Sequence, residues 1–295
     1  MSRGGRDDSR HDVRTPAPDD ARRKVAGGTV GVPLDRLTLQ PGREREPIVH
    51  RGRTYFLRDT DVRTLATIGT FRVVRAAEIQ TLHSSRDAWK GDLGHLRSQE
   101  LIEVQNVSIN RHVTPVAVLT ARGKSLLDEH TERTAGRRAQ AYHAGLVKPR
   151  ELAHDAQAYA LFQAESARIE ADGGRVDRVL LDYELKRDYQ TFLNRPRLPG
   201  AEDGDPVASF AATHDLSVVD GHLELPDLRI EYETIEGELR HRDVELVTEH
   251  YSRAQLAGKA RAGFSMYRAA GARLHGGSTR TGGTPVDPHW LEWLG

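Results

Sequence analysis

The sequence predicts an α+β protein of two unlike halves: a helical unit carrying a β-hairpin, then an α/β domain around a mixed sheet. Three observations predict it. Charge is segregated, with 17 basic against 10 acidic side chains over residues 51–150 and 15 against 23 over residues 151–275, although the 43 basic and 43 acidic side chains of the whole chain cancel. Apolar spacing marks three helices, a hairpin and a closing helix between Asp59 and His130. Beyond residue 150 the order becomes helix, strand, hairpins, strand and helix, the pattern of helices packed on a mixed sheet.

Length and composition limit what such a chain can do. With 295 residues, two domains of ordinary size are expected, each able to bury a core. The absence of cysteine excludes disulfides, zinc–thiolate sites and thiol nucleophiles, so any metal must be held by oxygen or histidine. No apolar run approaches the roughly 20 residues of a membrane span, and MSRGGRDDSRHDVRTPAPDD lacks the apolar core of a signal peptide. A cytoplasmic protein without membrane partners is expected.

Residues 1–50 are rich in Arg, Asp, Gly and Pro and poor in large apolar residues, which predicts a disordered leader. DTDVRTLATIG then places Val62, Leu65, Ala66 and Ile68 near one helical face, with Asp59 or Thr60 as the N-cap. VRAAEIQTLH carries Ala76, Ile79 and Leu82 at three-residue steps. SSRDAWKGDLGHLRSQELIE brings a capping-box-like Ser84 and Asp87 before Trp89, Leu93 and Leu96. Two β-rich runs joined at Asn110-Arg111 and a helix from Thr120 complete the order of a winged helix-turn-helix over residues 51–132.

In that module the third helix enters the major groove and the hairpin touches the backbone or minor groove of double-stranded DNA. Arg86, Lys90 and Arg97 lie off the Trp89/Leu93/Leu96 stripe, where they can reach phosphates or base edges. Ser84 and Ser85 stand at the helix start, suited to a phosphate, and Arg111 at the tip of the wing. A solvated basic face on a protein-binding module accounts for the same residues. Residues 133–150 read as a basic linker that either continues the phosphate track or is an ordinary charged connector.

Residues 151–274 form the second domain. ELAHDAQAYALFQAESARIEADGG reads as one helix stopped by Gly173-Gly174, RVLLDYELK as a central strand, and Asp220-Gly221 as a tight turn. LPDLRIEY and RDVELVTE give two further strands joined near Gly237, and SRAQLAGKARAGFSMYRAAG a helix capped by Ser252 and ended near Gly271. The last residues, 275–295, are a Gly/Thr spacer with an apolar tip at Trp290, Leu291, Trp293 and Leu294. That tip can dock on a protein partner or fold back on its own domain.

Carboxylates are the candidates for chemistry. Asp227 stands at the mouth of one strand and Glu245 lies on the next; facing the same way, the two can share Mg²⁺, which commonly takes one or two protein carboxylates and completes its shell with water and phosphate. Lys259, on the following helix with Tyr267 two turns along the same face, would supply a positive charge near the reacting phosphate. His154 and Glu184 are polar residues within otherwise apolar elements, a base or phosphate contact and an additional ligand respectively. Taken singly each has a structural reading: Glu245 as an edge charge, His154 as a satisfied helix residue, Glu184 as the partner of Lys186 or Arg187.

The runs VRTLATIGTFRVV, LTARGKSLL, LAHD, DYELK, LPDL, VEL and GKARAGFSMY resemble, in that order, the replication-relaxation family of plasmids and integrative elements. The resemblance covers roughly residues 56–270. It implies a winged helix joined to a domain similar to the PD-(D/E)XK nucleases, that is, a restriction-endonuclease-like α/β domain. It implies further that Asp227 and Glu245 are metal ligands, Lys259 a displaced catalytic lysine, and His154 and Glu184 their companions. Relatives tend to carry an acidic residue two positions after the strand glutamate; here that position is Val247. Two functions follow as expectations: a DNA-binding protein of a mobile element with a Mg²⁺-dependent nicking centre, or a non-catalytic regulator whose second domain dimerises or recruits a partner.

Overall fold

The computed structural model describes residues 44–79, 93–109, 111–130, 139–195, 205–248 and 251–268, and the backbone of 273–275. Its first strands, β1 (Glu46–His50) and β2 (Arg53–Leu57), pair antiparallel through a turn in which Arg51 and Gly52 both take positive φ. β1 begins inside the stretch read as a disordered leader, and the reason is local: a two-residue turn registers Glu46 against Leu57, and Tyr55 and Leu57 are buried.

Helix α1 (Asp59–Phe71) follows and is buried along most of its length. Its cap differs from the one expected: Arg58 is the N-cap, and the Asp61 carboxylate one turn in accepts the Arg58 backbone N–H at 3.1 Å. A two-residue strand β3 (Val74–Arg75) leads to the short helix α2 (Ala76–Ile79). Residues 93–98 form α3, with Leu93 and Leu96 buried as the apolar spacing requires. Ser84, Ser85, Arg86, Trp89 and Lys90 lie outside the described residues.

Strands β4 (Ile102–Ile109) and β5 (His112–Leu119) form a hairpin whose two-residue turn holds Arg111 at φ 67°, and β3 adds to β5 in the order β3-β5-β4. Thr120 then caps α4 (Ala121–His130), its hydroxyl accepting the Gly123 N–H at 3.0 Å. Gly123 is there for room: a Cβ would come within 2.2 Å of the Leu101 carbonyl.

The stretch expected as a basic connector contributes to the interior, with Gln140, Tyr142 and Val147 buried. The Gln140 side chain bonds both the N–H and the C=O of Val179 at 3.0 and 2.9 Å, behaving as one more rung on the outer edge of the large sheet. Helix α5 (Pro149–Ala171) ends at Gly173, φ 80°, with Gly174 N–H bonding the Ile169 carbonyl and Gly173 N–H that of Glu170, the Schellman pairing that a glycine allows. Phe71 of α1 packs on Tyr159 and Phe162 of α5, ring centroids 5.1 Å apart in both pairs, so the two halves share one apolar cluster.

The remaining elements are β6 (Arg175–Leu181), α6 (Asp182–Leu193), α7 (Pro206–Thr213), the hairpin β7 (Ser217–Val219) and β8 (His222–Glu224), β9 (Leu228–Glu233), β10 (Leu239–Val247), α8 (Arg253–Arg261), β11 (Ser265–Arg268) and β12 (Arg273–His275). Their sheet runs β12-β11-β10-β9-β6, antiparallel except for the β10–β11 pair, and is therefore mixed. Two expectations fail here. The strand in RVLLDYELK stops at Leu181 and Glu184 lies in the first turn of α6, where its carboxylate accepts the Leu181 N–H at 3.3 Å; an acid three residues into a helix is worth more as a cap than as a strand residue. The last helix ends at Arg261, followed by Gly263 at φ 86°, and Tyr267 lies on β11 instead, its hydroxyl bonded to Glu165 of α5.

One face of this sheet is apolar and packs on α5 through Val179, Leu181, Leu228, Ile230, Tyr232, Val244, Leu246 and Tyr267. The opposite face alternates in charge, Arg178, Arg229, Glu231, His241, Asp243 and Glu245, and the register sets Glu231 beside Arg178 and His241, and Arg229 beside Asp243. Arg229 is 5% exposed and bonded through all three of its nitrogens: it bonds both Asp243 oxygens at 2.6 and 2.7 Å and the carbonyls of His214 and Asp215 at 2.5 and 3.0 Å, tying the end of α7 to the sheet. Removing one partner of such a pair strands the other. Arg229→Met should cost about 3–5 kcal/mol in denaturant unfolding, and adding Asp243→Leu should restore much of it.

Candidate functional site

The site forms where the β9–β10 ladder ends. Leu228 pairs with Val244, so the next rung would set Asp227 opposite Glu245. Pro226 has no N–H to extend the ladder, and the two carboxylates close it instead. Asp227 Oδ2 accepts the Leu246 N–H at 2.8 Å, and Glu245 Oε2 accepts the Asp227 N–H at 3.3 Å. The two side chains thus hold each other's backbone.

Around this pair three further groups gather. His154 of α5 sets Nε2 3.0 Å from Asp227 Oδ1 and Nδ1 3.4 Å from Asp155. Lys259 of α8 places Nζ 3.3 Å from Glu245 Oε1 and 3.3 Å from Glu224, and donates to the Leu225 carbonyl at 2.7 Å. Tyr251 donates its hydroxyl to Glu245 Oε1 at 2.5 Å. Glu245 is 1% exposed on a central strand, so it is no edge charge. Burial, reinforced by the charge of Asp227, pushes its carboxyl up to about 7 against the pull of Lys259 and Tyr251. Hydrogen bonds to Asp155 and Asp227 hold the His154 imidazolium up to about 10 despite burial. The raised pKa favours the imidazolium, the form that suits the phosphate contact.

Of the five residues singled out in the sequence, Asp227, Glu245, Lys259 and His154 come together; Glu184 does not. Its carboxyl is raised to about 7 by burial, and the charges that act on it are those of Arg178, Arg187 and Asp188, on a separate part of the charged face. Tyr267 likewise serves α5 rather than Lys259.

Sequence reading missed Tyr251 and Glu224, which have no regular spacing from the residues they touch, and Asp182 and Lys186. The Asp182 N–H bonds the Asp227 carbonyl at 3.0 Å, and Lys186 pairs with Asp182 at 2.5 Å. Burial opposes the Lys186 charge, but Asp182, Asp227 and Glu245 outweigh it and raise its pKa, so its ammonium stands in the field of the pair. The only signal for it is the i, i+4 spacing of Asp182 and Lys186, which by itself describes an ordinary surface pair. Of the DNA-contact candidates, Arg97 on α3 and Arg111 at the hairpin tip are both exposed; Ser84, Ser85, Arg86 and Lys90 lie outside the described residues.

Among the described residues no group of three or more His, Asp or Glu side chains is disposed to hold a metal ion. Two carboxylates remain a sufficient protein share for Mg²⁺, whose other ligands are usually water and phosphate. Each carboxylate offers about four lone-pair sites, and one protein donor sits on each of Asp227 Oδ1, Asp227 Oδ2 and Glu245 Oε2. Burial is the main cause of the raised Glu245 pKa, and the Asp227 charge that adds to it is one a divalent cation would relieve. Comparison with models of protein families, with curated proteins and with solved structures returns no match.

The pKa shifts fix a sign for stability. Glu245 and Glu184 gain their protons near pH 7 when folded and near 4.5 otherwise, so the folded chain binds more protons between those values and loses stability as pH rises through them. His154, raised from 6.5 to about 10, contributes stability that is full below 6.5 and lost toward 10. Thermal midpoints at pH 5 and pH 7.5 should therefore differ less in Glu245→Gln than in the unaltered chain.

Proposed function

We propose that this chain is a DNA-binding protein of a mobile genetic element, of the replication-relaxation kind, whose second half nicks DNA in a Mg²⁺-dependent reaction. The observation that carries the reading is the convergence of Asp227, Glu245, Lys259 and His154 on one half-buried point at the end of two paired strands. The order helix, helix, helix, hairpin, helix supports a winged helix as the part that locates double-stranded DNA, with Arg97 and Arg111 each exposed and Ser84, Ser85, Arg86 and Lys90 from the sequence reading. The order α5, β6, β9, β10, α8, β11 supports a nuclease-like domain around the mixed sheet.

Each residue then has a task. Asp227 and Glu245 would hold Mg²⁺, which when bound polarises a scissile phosphate and lowers the pKa of an attacking water. Lys259, 3.3 Å from Glu245, would offer its ammonium to the charge that builds on the phosphate. His154, cationic at neutral pH, both neutralises Asp227 and offers a contact to a phosphate oxygen. Tyr251 fixes the rotamer of Glu245.

A second reading is favoured by one observation: Val247, where relatives tend to carry an acid, is buried in an apolar cluster with Leu256, Ala260 and Met266. In that reading the pair is a structural clasp, and the second half dimerises or recruits a partner, with the Trp290/Trp293 tip as a contact.

Supercoiled plasmid with Mg²⁺ or Mn²⁺ separates the two. The unaltered chain should convert it to open circles, Asp227→Ala/Glu245→Ala should not, and Lys259→Ala should slow the reaction by about 10²-fold or more. Conversion equal in the double variant, or none in any protein, leaves the clasp. For either reading, Arg86→Ala/Lys90→Ala should weaken duplex binding and lower its salt slope by about 1 for each phosphate no longer neutralised.

A further inference from the structure

Two arginines on the charged face of the sheet have opposite fates. Arg229 is bonded through each nitrogen, as described above; Arg178 is nearly as buried, 7% exposed, yet its Nε has no hydrogen-bond partner among the described residues, and Glu231 stands 3.7 Å from its terminal nitrogen. The Nε atoms of Arg72, Arg240 and Arg242 share that condition, so what sets Arg178 apart is its place beside other arginines in a cavity. Arg178 lines two adjoining cavities, of about 450 and about 370 Å³, between the sheet, α6 and α7. The larger also carries Arg187 and Arg195 from α6 and the residues just beyond it, with Phe192 and the carboxyls of Glu184 and Asp188.

We propose that Arg178, Arg187 and Arg195 form a phosphoryl-binding pocket, separate from the Asp227–Glu245 pair. The chemistry suits that group. Planar guanidinium forks match the oxygen spacing of a phosphoryl group, and all three cations here are arginines rather than lysines. The volume lies in the range of small-ligand sites, roughly 300–1,000 Å³. Glu184, which caps α6 from inside the pocket, can donate to a phosphoryl oxygen once protonated. The phosphoryl group can belong to a small ligand such as a nucleotide or to the backbone of DNA.

Calorimetric titration of inorganic pyrophosphate into the full chain, with EDTA present, tests this without any cleavage, so it stands or falls apart from the nicking reaction. The expected result is saturable one-to-one binding, weakened by about tenfold or more in Arg187→Gln/Arg195→Gln. Both of those side chains are exposed, and the variant should keep the thermal midpoint of the unaltered chain. A short DNA duplex that displaces pyrophosphate identifies a backbone phosphate; a duplex that does not identifies a small ligand. No saturable binding by the unaltered chain, or equal binding by the variant, overturns the proposal.

Discussion

Where β9 and β10 stop pairing, two carboxylates take over from the backbone. Asp227 receives the N–H of Leu246 and Glu245 receives the N–H of Asp227, so each acid holds in place the strand that carries the other. Buried carboxylates persist only with donors in range, because desolvation otherwise costs more than the fold can supply. This clasp meets that condition with main-chain groups, a tyrosine, a lysine and a histidine drawn from α5, α8 and the segment before it. The position of α8 over one sheet face and the link from α5 to the strand ends both run through it.

A line of ionic contacts continues from the clasp into the first half of the chain. Arg72, just past α1 at φ 63°, lies 3.3 Å from Asp155 and 2.8 Å from Glu151, and its guanidinium sits 4.4 Å above the Tyr183 ring. Asp155 in turn faces His154, which faces Asp227. Together with the packing of Phe71 on Tyr159 and Phe162, this gives the helical unit and the sheet domain one continuous interior.

Much of this was legible in the residues. Alternation in RDVELV assigned the faces of β10, Asp220-Gly221 announced its hairpin, and Gly173-Gly174 the end of α5, because each rests on a local rule of backbone geometry. What failed turned on competition between local rules. DYELK has the apolar content of a strand, but an acid three residues past Leu181 caps a helix, and the cap won. GKARAGFSMY reads as continuous helix, but Gly263 breaks it, and Phe264, Met266 and Tyr267 find more burial beside β10 than in a further helical turn. Strand alternation places Glu245 and the Pro before it sets Asp227 at a strand mouth, while Lys259 stands on the helix that follows and His154 is a polar residue in an otherwise apolar helix. Tyr251, Glu224, Asp182 and Lys186 were not found, because their proximity is set by tertiary folding and leaves no spacing to read.

Whether the clasp is a cation site or only a fastening is decided most directly by crystals grown with Mn²⁺. A cation site gives an anomalous-scattering peak at about 2 Å from one oxygen of Asp227 and one of Glu245. Crystals whose peaks all lie elsewhere, with both carboxylates still held by the N–H groups of Leu246 and Asp227 and by His154, Tyr251 and Lys259, would contradict it.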